Sequence, residues 1–179
     1  MMGLPERTEA APYYFTYIDR ITNPDVVGEL ETQMDDFPAF LRGISDEKSL
    51  YRYAPDKWSI RQTLGHINDA ERVFASRAFW FARTFDSPLP SFDQNVAVNT
   101  ANADHCSWTS HIDEFVAVRS GTISLFRNLP SDAWMRKGIA SENTFTVRAL
   151  AYVIAGHVIH HRSILEARYL QLQTARSAG

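Results

Sequence analysis

Four long stretches of the chain carry a helical hydrophobic period, and shorter stretches rich in proline, glycine and polar residues separate them. In the first, about residues 23–42, Val26, Val27, Leu30, Met34, Phe37 and Leu41 fall on one face. Asn23 reads as its N-cap with Pro24 at the first helical position, and Gly43 as its stop. Pro38 predicts a bend or an early end, because proline removes a helical donor and crowds the preceding turn. The second helix opens on Ser59 with Gln62 three residues on, a capping box, and runs to about residue 85. Ile60, Leu64, Ile67, Phe74 and Ala78 centre its apolar face, with His66 at the edge beside Ala70 and Val73. The third spans about 108–129, with Ile112, Phe115, Val116, Ile123 and Phe126 inward. The fourth spans 146–168 and is capped by Thr146.

The remaining segments read as connections. Residues 43–58 join the first two helices, and 87–106 form a long link with a short helix near Gln94–Ala101. A turn follows Pro130, and 136–145 read as an extended or irregular crossing. Residues 1–20 form an arm that Tyr13, Tyr14, Phe15 and Tyr17 can pack onto the body, and 173–179 a frayed tail. The expectation is an all-α domain over 21–172, a four-helix bundle with long crossover connections.

Composition narrows the function classes. The chain has 179 residues, 45% apolar and 22% charged, enough for one domain with a real core. A net charge of −3 with no basic run argues against nucleic acid as partner. No apolar run reaches the roughly 20 residues of a membrane span, and the first ten residues lack the apolar region of a signal peptide. A single cysteine, Cys106, excludes an internal disulfide framework, so the expected compartment is the cytoplasm.

Histidine interrupts the apolar stripe of the fourth helix. At about 100° per residue, Leu150, Ile154, His157, His161 and Leu165 share one narrow arc. Two imidazoles four residues apart can converge on one metal ion; satisfied core histidines are the alternative. His160 lies about 80° away and reads as a flanking residue. Val158 follows His157, so the glutamate of the zincin motif is missing. A bundle site needs a third ligand from a facing helix, and His66 is the best-placed candidate. His105 and His111, near the start of the third helix, read as exposed polar residues.

Two blocks carry a family resemblance: KWSIRQTLGHINDAERVF (57–74) and TVRALAYVIAGHVIHHRSIL (146–165). Their order and separation resemble the DinB/YfiT-like family of four-helix-bundle proteins. That resemblance implies a divalent metal, nickel or zinc, held by His66, His157 and His161. It also implies a homodimer, and the aromatic surplus at Phe79, Trp80 and Phe81 agrees with an apolar surface. The family includes thiol S-transferases, a mycothiol-dependent isomerase and hydrolase-like proteins. The expected function is thus a metal-dependent enzyme acting on a small-molecule substrate, with thiol transfer from a low-molecular-weight thiol placed first. The alternatives are a metal-dependent hydrolase and a non-catalytic metal-binding protein. Asp69, three residues after His66, and Asp93, in the long link, are the candidate acid–base residues, with Arg162 nearby.

Overall fold

The computed structural model describes residues 3–170. A short 3-10 turn at Pro12–Tyr14 leads into α1 (Phe15–Ile18), followed by α2 (Val26–Arg42) and α3 (Asp46–Ser49). Next come α4 (Ile60–Ala82), α5 (Gln94–Ala101) and α6 (Trp108–Arg127). A hairpin of β1 (Lys137–Ala140) and β2 (Asn143–Thr146) leads into α7 (Val147–Ile164). The expected frayed tail lies outside the described residues.

The four long helices α2, α4, α6 and α7 make the bundle. Helix α4 packs against α6 and α7, and α2 packs against the same two. So α2 stands diagonal to α4, and α6 to α7, which is why the links 43–59 and 128–146 must cross an end of the bundle. The expected fold class is therefore observed, with one small two-stranded sheet added.

Local chemistry explains most boundaries. Ser59 accepts from Gln62 N while the Gln62 side chain accepts from Ser59 N, closing the capping box of α4. Thr146 caps α7 by accepting from Ala149 N at 3.0 Å. Helix α2 corrects its expected cap and, of the two outcomes expected at Pro38, excludes the early end. Its N-cap is Asp25, which accepts from Gly28 N, while Asn23 accepts from Asp25 N instead. Pro38 does not end the helix, which continues through Arg42. The 43–58 link contains α3, capped by Ser45, and the crossing is a hairpin with Ala140 opposite Asn143. Its two-residue turn places Ser141 and Glu142 at φ 51° and 61°, the left-handed pair that such hairpins need.

Buried apolar residues form two clusters. One contains Leu30, Phe81, Ile123, Phe126, Phe145, Leu150 and Ile154. The other contains Phe37, Leu41, Ile60, Leu64, Ile67, Phe115 and Val158. Each bundle helix contributes to both, and each places polar groups between its two contributions: Gln33 in α2, Glu71 in α4, Arg119 in α6 and His157 in α7. Arg119 is 0% exposed and meets Glu71 through two hydrogen bonds of 2.8 Å. It also donates to Gln33 Oε1 at 2.9 Å, and Gln33 Nε2 donates to the Ala155 carbonyl at 3.2 Å. This layer joins all four helices.

The N-terminal arm lies across α7. A Cβ on Gly156 would sit 2.1 Å from the Tyr17 carbonyl oxygen, so only glycine permits this crossing. Glu9 anchors the arm, accepting from Thr146 Oγ1 at 2.7 Å and from Arg148. Of the expected aromatic surplus, Phe81 is buried, Trp80 packs against Phe85 with ring centroids 4.2 Å apart, and Phe79 remains exposed. The surface on which the homodimer expectation rests is correspondingly smaller. No described helix is long and apolar enough to cross a membrane.

Removing one member of the Arg119–Glu71 pair strands the other as a buried charge. Arg119→Ala and Glu71→Ala should each destabilise the protein by roughly 3–5 kcal/mol in chemical denaturation, and the pair Glu71→Leu/Arg119→Met by much less. Equal losses in the single and paired variants would contradict a role set by charge matching.

Candidate metal centre

His157 and His161 project from successive turns of α7 toward α4, where His66 faces them. The three rings meet nitrogen to nitrogen. His66 Nε2 lies 3.1 Å from His157 Nε2, and His161 Nε2 lies 3.0 Å from the same atom. One nitrogen from each ring falls within 4.8 Å of the others, and no carboxylate belongs to the group. His66 and His157 are buried and His161 is half-buried. Trp58 tilts over His66 at 5.0 Å between centroids, and Tyr17 meets His157 edge-on at 5.2 Å.

Burial controls the protonation of the cluster. It lowers His66 to about 4, with nearby His160 adding to the effect. His157 and His161 are pushed well below the ordinary value, by burial first and by neighbouring histidines second. All three rings are therefore neutral at pH 7, the form that offers a lone pair to a metal. Neutral rings satisfy one another poorly, since each contact needs a proton on one side and a lone pair on the other. His66 Nδ1 is buried with no hydrogen-bond partner. The observed N···N separations fall between the edge of an octahedron, about 2.9 Å, and of a tetrahedron, about 3.3–3.4 Å, for metal–nitrogen bonds near 2.0–2.1 Å. The donor set and spacing fit a divalent metal.

A cavity of about 440 Å³ adjoins the cluster. His66 and His157 form one side, and Tyr13, Tyr14, Tyr17 and Phe74 supply aromatic walls. The 87–106 connection closes another side through Ser91, Phe92, Asp93 and Gln94. Burial, together with the hydrogen bond shared with Tyr13, raises the Tyr17 phenol well above its ordinary value, so it stays protonated.

The other candidate residues separate. Asp69 does not reach the His66 ring: Nδ1 has no partner, and the Asp69 carboxylate lies 3.5 Å from Arg72. Burial raises its pKa. Asp93 does line the cavity, but its carboxylate caps α5, accepting from Asn95 N and Val96 N. Arg162 pairs with Glu166 at 3.0 Å and lies over the Phe40 ring. His105 is exposed as expected, whereas His111 is buried, bonded to the Ala103 carbonyl and 3.4 Å from Glu114. His160 packs against Tyr17 and His161, and its Nδ1 is buried without a partner. The sequence reading missed Arg77, which is buried and lines the cavity. Its spacing from His66 along one face of α4 was the available signal.

A four-helix bundle with crossing links and three convergent imidazoles defines a class of helical proteins with a histidine site between facing helices. The model of the DinB superfamily matches residues 29–165, and the chain belongs to that superfamily. No curated protein gives a significant match. Among solved structures, YfiT from Bacillus subtilis, described as a probable metal-dependent hydrolase with an unusual four-helix bundle topology, aligns with a TM-score of 0.70. The identity is 16%, over 97% of this chain and 93% of that one. A mycothiol-dependent maleylpyruvate isomerase aligns with a TM-score of 0.66 at 10% identity, over 80% of this chain and 61% of that one. At these identities the likeness is one of fold.

Buried neutral histidines make metal-free stability pH-dependent. Unfolded histidine takes a proton near 6.5, whereas folded His66 does so only near about 4. Above 6.5 neither state is protonated and stability is flat; as pH falls below 6.5 the unfolded state gains protons first and stability drops. Chelator-treated protein should melt cooperatively at pH 7, and His66 alone should cost about 2 kcal/mol between pH 6.5 and 5. Denaturant titrations of wild type and His66→Gln across that range provide the check, with a flatter profile expected in the variant.

Proposed function

We propose that this chain is a metal-dependent enzyme that transfers a low-molecular-weight thiol to a small electrophilic substrate. In this reading His66, His157 and His161 hold one divalent ion, nickel or zinc. The observation that carries it is the convergence of three neutral imidazoles, two of which, His66 and His157, line a cavity of about 440 Å³. A divalent metal held there supplies Lewis acidity, lowering the pKa of a coordinated thiol or water. The imidazoles remain neutral donors, Trp58 and Tyr17 shield them from bulk water, and the aromatic walls accept an apolar substrate body. Cys106 is exposed and does not line the cavity, so the thiol must come from outside the chain.

Metal-dependent hydrolysis is the second reading, and Asp93 is what favours it, as the carboxylate on the cavity wall. Its oxygen already accepts two backbone N–H groups of α5. Hydrogen bonds of that kind stabilise the carboxylate and weaken it as a base. Thiol transfer requires no such base, which ranks it first.

Protein purified without a polyhistidine tag should contain about one divalent ion per chain by elemental analysis. His157→Ala and His161→Ala should lose most of it, and His105→Ala should keep it. Metal-loaded protein mixed with an electrophile and a panel of small thiols should form conjugate faster than the chelated protein. Turnover of esters or amides with no metal-dependent conjugation would favour the hydrolase instead.

A further inference from the structure

Among the described residues three arginines are buried: Arg61, Arg77 and Arg119. Two of them face a carboxylate, Asp46 at 3.0 Å for Arg61 and Glu71 at 2.8 Å for Arg119. Arg77 faces none among the described residues. Its Nη2 donates to the Pro90 carbonyl at 3.0 Å and to Ser141 Oγ at 2.9 Å, and Tyr14 lines the cavity with it. A guanidinium has five N–H donors in a fixed fork, so part of it is left over. The leftover atoms are not sealed in the core, because the buried unpartnered side-chain atoms are His66 Nδ1, Asn68 Oδ1 and His160 Nδ1. They belong to a residue that lines the cavity beside His66 and His157. Keeping a desolvated cation without an anion is costly, and a ligand anion removes that cost.

We propose that Arg77 binds the carboxylate of the substrate, whose apolar body lies along the aromatic walls and whose far end reaches the histidine cluster. His66, Ala70, Val73 and Arg77 line the cavity from one face of α4. Along the helix axis His66 and Arg77 are roughly 16 Å apart at the backbone, and the arginine side chain leans toward the helix start. The gap to be spanned is on the order of 10 Å. A carboxylate suits the site better than a phosphate. Among the described residues Arg77 is the sole basic side chain other than histidine on the cavity wall, and Asp93 sits on the same wall. Asp93 already takes the Asn95 and Val96 N–H groups at the opening of α5, so its negative charge offsets that helix end as a second positive element for a dianion. That the far end is where reaction occurs rests on the proposed metal role of the histidines; the carboxylate anchor itself does not.

The test is direct binding by calorimetry to chelator-treated protein, which separates the anchor from the metal. The probes are 3-phenylpropionate, its neutral amide and phenethyl phosphate. Wild type should bind the carboxylate at least about tenfold more tightly than the amide. Arg77→Gln should abolish the preference, and Arg77→Lys should lose most of it, since lysine keeps the charge but not the fork. The comparison of acid with amide in wild type needs no variant, which keeps the test decisive if Arg77→Gln fails to fold. Equal affinity for acid and amide in wild type, or binding of neither at millimolar concentration, would overturn the proposal, as would tighter binding of the phosphate. Failure of the metal reading would instead appear as normal carboxylate binding in a protein that takes up no metal.

Discussion

The bidentate contact between Arg119 and Glu71 sets the height at which everything else in the bundle is placed. Both side chains are almost fully removed from water, so neither tolerates a register shift that would lengthen the contact. Through Gln33 the pair reaches α2, and through the Ala155 carbonyl it reaches α7 two residues before His157. The ionic layer and the histidine cluster are therefore neighbours on the same helices, wedged between two apolar clusters. Arg119 also contributes to the low proton affinity of His157, so the charge that locks the helices helps keep a donor ring neutral.

How legible each part was depends on whether its cause is local. The periods of the four helices, the capping box at Ser59 and the cap at Thr146 involve residues within four positions of each other, and the structure has all of them. The pairing of His157 with His161 is local too. His66 was different: its position at the edge of an apolar arc made it a boundary residue by periodicity, and the family resemblance made it a ligand candidate. The ionic layer was invisible because its partners lie 48 residues apart, and charged residues on a helix face read as solvated. The hairpin was invisible because Ser141 and Glu142 adopt left-handed conformations without the glycine or asparagine that advertises such a turn. His111 was misread for a related reason: the Ala103 carbonyl that satisfies it belongs to a turn with no sequence signature. Asp69 had the right spacing from His66, but its carboxylate is engaged by Arg72.

Cavity and cluster are built from different sets of elements. Helices α4 and α7 supply the imidazoles and are packed on both sides. The opposite walls come from the arm, whose Phe15 and Ile18 join the core, and from the α4–α5 link and the hairpin turn. Arg77 gathers two of them, holding the Pro90 carbonyl of the link and the Ser141 hydroxyl of the turn. A group bound to its guanidinium is thus in contact, one bond away, with the segments that form the mouth.

The crossing at Gly156 bears on how the molecule comes into being. The arm is synthesised well before α7, yet its seat is the backbone of α7, and Glu9 pairs with a residue 137 positions later. Contacts of such long sequence separation form late, because a large loop must close before they contribute. On a ribosome the arm waits, with Tyr13, Tyr14 and Tyr17 uncovered, until nearly the whole domain has emerged. The part of the cavity wall that Tyr13, Tyr14 and Tyr17 supply is therefore absent from any nascent intermediate lacking α7, and it is completed in one step when the arm seats on that helix.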